Sequence, residues 1–133
     1  MEIEKLGRQS WRFVQPPQIL SGAAVAGPKE GQGPLAADFD HVYQRMNWGK
    51  NSFEQAEQQM QEKAASIALA KAGLAPADID LFFAGDLINQ IMPSGFTARN
   101  LGLPYLGLFA ACATATEALA LAALAVAAGA ADK

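Results

Sequence analysis

The chain has 133 residues, 51% of them apolar and 17% charged, which is enough apolar side chains for a core and too many for a disordered protein. Its formal net charge is −3 and its ten basic residues are scattered, which argues against a nucleic-acid-binding surface. A single cysteine excludes an internal disulfide, and the polar N-terminus lacks the apolar centre of a secretory signal. The apolar stretch 118–131 is too short to span a bilayer. We therefore expect a protein of a reducing compartment without membrane spans.

The first fifty residues are rich in turn-forming residues. Residues 18–20 predict a short strand, and a Gly/Pro loop bracketed by Pro28 and Pro34 follows. Residues 38–48 carry three aromatic side chains and predict a short helical turn. Residues 1–50 are thus expected to form a strand- and loop-rich N-terminal region.

The clearest helix begins after Ser52. Ser52 and Gln55 have the spacing of a capping box, and Gly73 is typical of a helix C-terminus. Apolar residues recur between them at steps of three and four, which predicts one buried stripe. The stripe comprises Phe53, Ala56, Met60, Ala64, Ile67 and Ala68.

Two strands and two further helices are predicted downstream. Apolar runs at 79–84 and 103–112 predict buried strands, the first covered on both faces, with a short helix at 94–102 between them. The last helix, 114–129, is apolar nearly all round and is expected to be buried on every side. The resulting helix–strand–helix–strand–helix order over 51–133 predicts an α/β fold with parallel strands joined by right-handed crossovers. Because the chain has too little other structure to surround the last helix, we expect a larger fold.

The cysteine, Cys112, falls where a predicted strand passes into the last helix. Thr114 and Glu117 again have capping-box spacing, so the helix is expected to begin at Thr114. Free backbone N–H groups there favour a thiolate, which suggests a nucleophile, although free cysteines are more often small buried apolar residues. A nucleophile needs a base. The one histidine, His41, lies far upstream, where a surface or packing role is the more usual one.

Four polar residues are candidates for ligand binding. Asp86 and Asn89 lie just past the carboxyl end of the first buried strand, where open α/β sheets usually bind ligands, although capping a turn and satisfying backbone groups are the more usual roles. Lys29 and Arg99 could pair with a dicarboxylate, or simply be solvated. The stretch GPKEGQG lacks the ending of a phosphate-binding P-loop. No metal site and no cofactor are expected.

Two segments, AGLAPADIDLFFAGD and LGLPYLGLFAACATATEALALAALAVAAG, resemble the first half of the thiolase-like fold. In the thiolases and β-ketoacyl-ACP synthases III, a nucleophilic cysteine begins a buried central helix directly after a strand, and Cys112 matches that position. The motifs GRQSWRF, AAVAGPKEGQGPL, FDHVYQRMNWGKNSFEQAE and AGDLINQ are together similar to the stage V sporulation protein AD family of endospore-forming bacteria. This resemblance implies a partial thiolase-like domain over residues 1–133, the first part of the N-terminal half of that fold.

The resemblance also implies a function. That family is a non-catalytic binding protein that works with membrane proteins of the spore transport operon to move dipicolinic acid (pyridine-2,6-dicarboxylate), free or as its calcium chelate, into the spore. A homodimer is expected for the full-length form, at the cytoplasmic face of the forespore inner membrane or in the forespore cytoplasm. The alternative is an acyltransferase of the thiolase type with Cys112 as acyl nucleophile. The histidine of those enzymes comes from the later half of the fold, so this chain by itself is not expected to be an enzyme.

Overall fold

Three helices and three two-stranded sheets make up the structure, a computed structural model that describes residues 3–133 apart from the Asn89 side chain. The helices are α1 (Phe53–Ala72), α2 (Met92–Leu101) and α3 (Thr114–Ala127). The strands are β1 (Ile3–Leu6), β2 (Ser10–Phe13), β3 (Val25–Ala26), β4 (His41–Val42), β5 (Phe82–Gly85) and β6 (Tyr105–Leu108). β1 and β2 are antiparallel, whereas β3 with β4 and β5 with β6 form parallel pairs. The predicted α/β class and the parallel pairing are thus confirmed.

Helix α1 begins and ends where the sequence predicts. The Ser52 side chain accepts a hydrogen bond from the Gln55 backbone N–H at 3.3 Å, while the Gln55 side chain accepts from the Asn51 N–H rather than from that of Ser52. Gly73 has a φ of 68°, and the N–H of Leu74 reaches back to the Leu69 carbonyl oxygen, which closes the C-terminus. The predicted stripe is wrong at Phe53, which is 65% exposed, while Ala56 is buried and the other members are half-buried.

The sheet of β5 and β6 carries α3 on one side. α3 packs on β5, and Gly85 permits the close approach because a Cβ there would collide with the Leu108 carbonyl oxygen and the Thr114 side chain. The prediction of a strand covered on both faces is wrong, since every residue of β5 is only half-buried. The prediction that α3 is buried on every side is also wrong. Only Ala127 of α3 is buried, because α3 has β5 and β6 as its main packing partners among the described residues.

The N-terminal region differs from the prediction at two places. The strand expected at 18–20 is absent from the described residues, and the chain instead forms β3 a few residues later. The helical turn expected at 38–48 is replaced by β4. The N–H groups of Asp40 and Tyr43 donate to Ala24 and Ala26, so the ladder with β3 uses donors that a helix would need internally. The boundary predicted at residue 50 remains a prediction.

The best-buried part of the molecule is the junction of α1 with α2. Ala56 on α1 and Ala98 on α2 are buried, and Pro93, Ser94 and Thr97 of α2 are almost completely so. α2 begins two residues earlier than predicted and ends at Gly102, as predicted, in the left-handed conformation. None of the helices between residues 3 and 133 has the length and apolar character that crossing a bilayer requires.

Candidate functional site

An open cleft of about 570 Å³ lies between α1 and the start of α3, over the carboxyl end of β5. This is the edge at which parallel sheets commonly bind ligands. Its walls are mostly small and apolar because alanines of α1 and α3 face each other across it. The lining residues are Ala23, Glu57, Gln61, Ala64, Ala65, Ala68, Phe82, Phe83, Ala84, Gly85, Asp86, Leu87, Ala111, Cys112, Thr114, Ala115 and Ala118.

Asp86 lies on the cleft and anchors the start of α2. It is 5% exposed, and its Oδ1 accepts from the Ile88 N–H at 2.9 Å. Its Oδ2 accepts from the Ser94 N–H at 3.0 Å and from the Ser94 hydroxyl at 2.6 Å. Ile91, the residue before α2, cannot supply such a bond from its own side chain, so Asp86 does the capping from five residues upstream. The capping interpretation of Asp86 is confirmed, and the same carboxylate faces the cleft.

Two residues of α1, Glu57 and Gln61, complete the polar end of the cleft. Gln61 donates from Nε2 to the Ser94 hydroxyl oxygen at 3.2 Å. Burial raises the pKa of the Glu57 carboxyl, and repulsion by Asp86 raises it further. Sequence reasoning missed both residues. Their spacing, one turn apart beside the predicted buried stripe at Ala56 and Met60, was the signal that could have found them.

Cys112 opens onto the cleft from a 3-10 turn, Ala111–Ala113, between β6 and α3. The interpretation of Cys112 as a small buried apolar residue is wrong, since the residue is exposed. The preceding residue, Ala111, has a positive φ of 48°. The prediction of a nucleophile is untested by this geometry.

The start of α3 lies at Thr114, as predicted, but the capping box is not formed. The residue preceding the helix is Ala113, which has no side chain able to cap it. The Thr114 hydroxyl accepts from the Ala110 N–H at 3.1 Å and donates to the Ala111 carbonyl oxygen at 2.8 Å. Its hydrogen bonds therefore stabilise the preceding turn, and the first turn of α3 is left without a side-chain cap beside the cleft.

His41 is not part of the cleft lining. It is half-buried in β4, with its ring edge-on to Tyr43 at 4.4 Å, and Tyr43 in turn stacks on Trp48 at 4.5 Å. This agrees with the packing interpretation of His41.

Two of the candidate ligand-binding residues, Lys29 and Arg99, are not brought to Cys112 by the described structure. Lys29 is exposed just before a 3-10 turn, Glu30–Gln32. Arg99 is exposed on α2, with its guanidinium 4.8 Å from the centre of the Phe96 ring. Neither lines the cleft. The Asn89 side chain lies outside the described residues, so its predicted role stays a prediction.

Comparison with known proteins finds a family match that covers almost the whole chain, including the cleft. The family model described as stage V sporulation protein AD matches residues 7–133. The chain belongs to that family. The protein named stage V sporulation protein AD in Bacillus subtilis (strain 168) is 44% identical to it over 116 residues. The match covers 87% of this chain and 34% of that relative, so the chain spans about a third of the relative's length.

Membership of the stage V sporulation protein AD family places the chain among sporulation proteins. All of the residues that line the cleft, from Ala23 to Ala118, fall within the matched range. Within residues 3–133, the structure places no group of three or more histidine, cysteine or acidic side chains where a metal ion could be held. The cleft is therefore a feature of the family segment, built from apolar walls, a thiol and a carboxylate-rich end.

Proposed function

We propose that this chain forms part of a thiolase-like binding protein that acts in spore formation and binds dipicolinic acid in the cleft beside Cys112. The resemblance of the strand–cysteine–helix segment supports the thiolase-like fold, and membership of the sporulation family supports the role. The observation that carries the site is the cleft itself, which lies at the carboxyl end of β5 and opens onto the cysteine.

The walls of the cleft suit the pyridine ring. Phe82, Phe83 and the alanines of α1 present apolar surface on which a flat aromatic ring can be removed from water. The ligand's carboxylates need polar partners. The first turn of α3 has no side-chain cap and contributes Thr114 and Ala115 to the lining, so its backbone N–H groups and the positive end of the helix dipole would be such partners. In this pose, the ring lies on the sheet side and a carboxylate lies near Cys112.

The resemblance also supports the wider setting of the proposal. The protein would act with membrane proteins of the spore transport operon, as a peripheral protein at the cytoplasmic face of the forespore inner membrane, and would form a homodimer in full-length form. Lys29 and Arg99 lie outside the cleft lining, so they would contact the ligand only if it binds elsewhere.

Calorimetry with dipicolinate on this chain tests the proposal. Ala115→Phe places a large side chain in the cleft, where it occupies space that the ligand needs. We expect the affinity for dipicolinate to fall at least about tenfold, which corresponds to about 1.4 kcal/mol of lost binding free energy. Thr116→Phe is the matched control, since Thr116 is exposed on the same turn of α3 and does not line the cleft. Absence of binding to the unaltered chain, or equal affinity for the two variants, would overturn the proposal. Loss of binding in Lys29→Ala or Arg99→Ala, but not in Ala115→Phe, would indicate that the ligand binds outside this cleft.

A second function, acyl transfer, is favoured by one observation, the exposed thiol at the start of α3 in an apolar cleft. In this reaction the Cys112 thiol would lose its proton to solvent, and the thiolate would attack the thioester carbonyl of an acyl-CoA to form a Cys112 thioester. The CoA thiolate would leave and take up a proton from solvent, and the acyl group would then pass to water or to another nucleophile. The cleft lining supplies no histidine as a base. Incubation with acyl-CoA followed by mass spectrometry tests it. Repeated turnover that disappears in Cys112→Ala would establish transfer, and its absence would exclude it.

A further inference from the structure

A chain of hydrogen bonds connects α1, α2 and the end of β5 at the floor of the cleft. Gln61 Nε2 donates to Ser94 Oγ, and the Ser94 hydroxyl donates to Asp86 Oδ2. The direction of each hydrogen bond follows from the carboxylate of Asp86, because an ionised carboxylate can only accept hydrogen bonds. The Ser94 hydroxyl has a single hydrogen, which goes to Asp86. Ser94 Oγ must therefore accept from Gln61, and this requirement orients the Gln61 amide with its nitrogen toward Ser94.

This orientation leaves the other end of the Gln61 amide without a donor. Gln61 Oε1 is buried and accepts no hydrogen bond in the described structure. A buried acceptor that is left unpaired costs about 1 to 3 kcal/mol, so such groups nearly always have a partner. Glu57 lies one helical turn earlier on α1, on the same face, and lines the same cleft. An ionised Glu57 cannot donate to Gln61, whereas a protonated one can.

The charged groups around Glu57 favour the protonated form. From the end of β5, Asp86 faces it and repels its negative charge, and burial disfavours the charge more strongly still. Tyr105 of β6 lies near Asp86 and contributes a phenol whose pKa is itself raised by burial. Cys112 faces the cleft from the turn before α3, and the cleft lining contains no lysine or arginine. α2 contributes the neutral Ser94, and Glu54, one turn before Glu57 on α1, is exposed.

We propose that Glu57, in its protonated form, donates a hydrogen bond to Gln61 Oε1 at the floor of the cleft, so that a carboxylate ligand binds there together with the uptake of a proton. The first part rests on the hydrogen-bond chain, on the unpaired Gln61 Oε1 and on the burial of Glu57 beside Asp86. The second part rests on the proposed dipicolinate function. Protonation completes a continuous chain from Glu57 through Gln61 and Ser94 to Asp86, which joins three elements of the fold. It also removes one negative charge from the cleft, which otherwise opposes an entering anion.

The first part is tested without any ligand, by NMR titration of the Glu57 side-chain carboxyl carbon in this chain. We expect Glu57 to titrate above its ordinary value of 4.5 and Glu54 to titrate below it, which makes Glu54 the internal reference. Titration of Glu57 at or below 4.5 would overturn the proposal.

The same linkage predicts how stability depends on pH. Because the folded pKa of Glu57 lies above the unfolded one, its stabilising contribution is present below about 4.5 and is lost as pH rises through the folded pKa. Glu57→Gln keeps the hydrogen-bond donor at every pH. We expect this variant to match the unaltered chain at low pH and to exceed its stability above the folded pKa. Glu54→Gln is the control and should show no such gain, and an equal gain in both variants would contradict the linkage.

The second part is tested by calorimetry with dipicolinate in buffers of different ionisation enthalpy, at a pH above the measured Glu57 pKa. We expect uptake of up to one proton per bound ligand, and none in Glu57→Gln. Binding without proton uptake would overturn the coupling. Absence of binding would refute the dipicolinate function and with it the coupling, while the ligand-free titration would still decide whether Glu57 is protonated.

Discussion

Helices α2 and α3 differ in composition and in burial, in opposite directions. α2 contains a serine, a threonine, an arginine and an asparagine among ten residues, yet four of its residues are buried. α3 consists almost entirely of alanine, leucine and valine after its first turn, yet only Ala127 is buried and Leu119 is 61% exposed. The difference lies in their partners. α2 is held between α1 and the sheet, whereas α3 rests mainly on β5.

The comparison shows that the hydropathy of a helix does not by itself decide how much of the helix is buried in the folded chain. Ser94 and Thr97 can be buried because each finds a hydrogen-bond partner, Ser94 in Asp86 and Thr97 in the Gln58 carbonyl oxygen. The apolar side chains of α3 need no hydrogen-bond partner. They are exposed because no element of the described chain covers them.

The largest expected effect comes from the anchor of α2. Asp86→Ala leaves the Ser94 hydroxyl and the N–H groups of Ser94 and Ile88 without their acceptor, and we expect a loss of about 4 kcal/mol in the free energy of unfolding. Urea unfolding measures it. Asp38→Ala is the matched control at an exposed site and should change stability by no more than about 0.5 kcal/mol. Similar losses in the two variants would show that α2 is not anchored by Asp86.

Substitutions of two leucines test the difference in burial between the sheet and α3. Leu108 of β6 is buried, so Leu108→Ala should cost about 3 kcal/mol through lost burial and a residual cavity. Leu119→Ala removes the same atoms from an exposed site on α3 and should cost no more than about 0.5 kcal/mol. Both values come from the same unfolding measurement. A loss at Leu119 as large as that at Leu108 would mean that α3 is covered in solution, and the contrast between α2 and α3 would fail.

The smallest effect is expected at two threonines. Thr97→Val keeps the side-chain shape on α2 but removes a buried hydroxyl bonded at 3.4 Å to the Gln58 carbonyl oxygen, and should cost about 1 kcal/mol. Thr116→Val makes the same change on exposed α3 and should leave thermal stability nearly unchanged. Reversal of this order would indicate that the described packing of α2 is wrong.

Much of the local structure could be predicted because it depends on neighbours in the chain. The start of α1 after Ser52, its end at Gly73 and the end of α2 at Gly102 follow from side-chain and backbone chemistry within a few residues. The start of α3 at Thr114 was predicted as well, although the capping box behind that prediction is not formed. The parallel order of β5 and β6 follows from the intervening helix, which a parallel connection requires. The position of Cys112 between β6 and α3 could likewise be predicted from neighbouring residues.

The composition of the cleft could not be predicted, because its parts lie far apart in sequence. Glu57 meets Asp86, and Gln61 meets Ser94, only in the folded chain, over separations of 29 and 33 residues. For the same reason, Lys29 and Arg99 were plausible partners for a carboxylate until the packing placed them outside the cleft.

The sequence by itself determined the elements from Ser52 onward, their order, and the family to which its motifs belong, since each depends on residues close in the chain, whereas the strands of the N-terminal region were not predicted. The tertiary structure alone decided that four residues of the polar α2 are buried while the apolar α3 stays mostly half-buried, and that Cys112, Glu57, Gln61 and Asp86 line one cleft. The physical reason is that burial and the pKa of a carboxyl depend on which surfaces meet, and this is a property of packing rather than of any single segment.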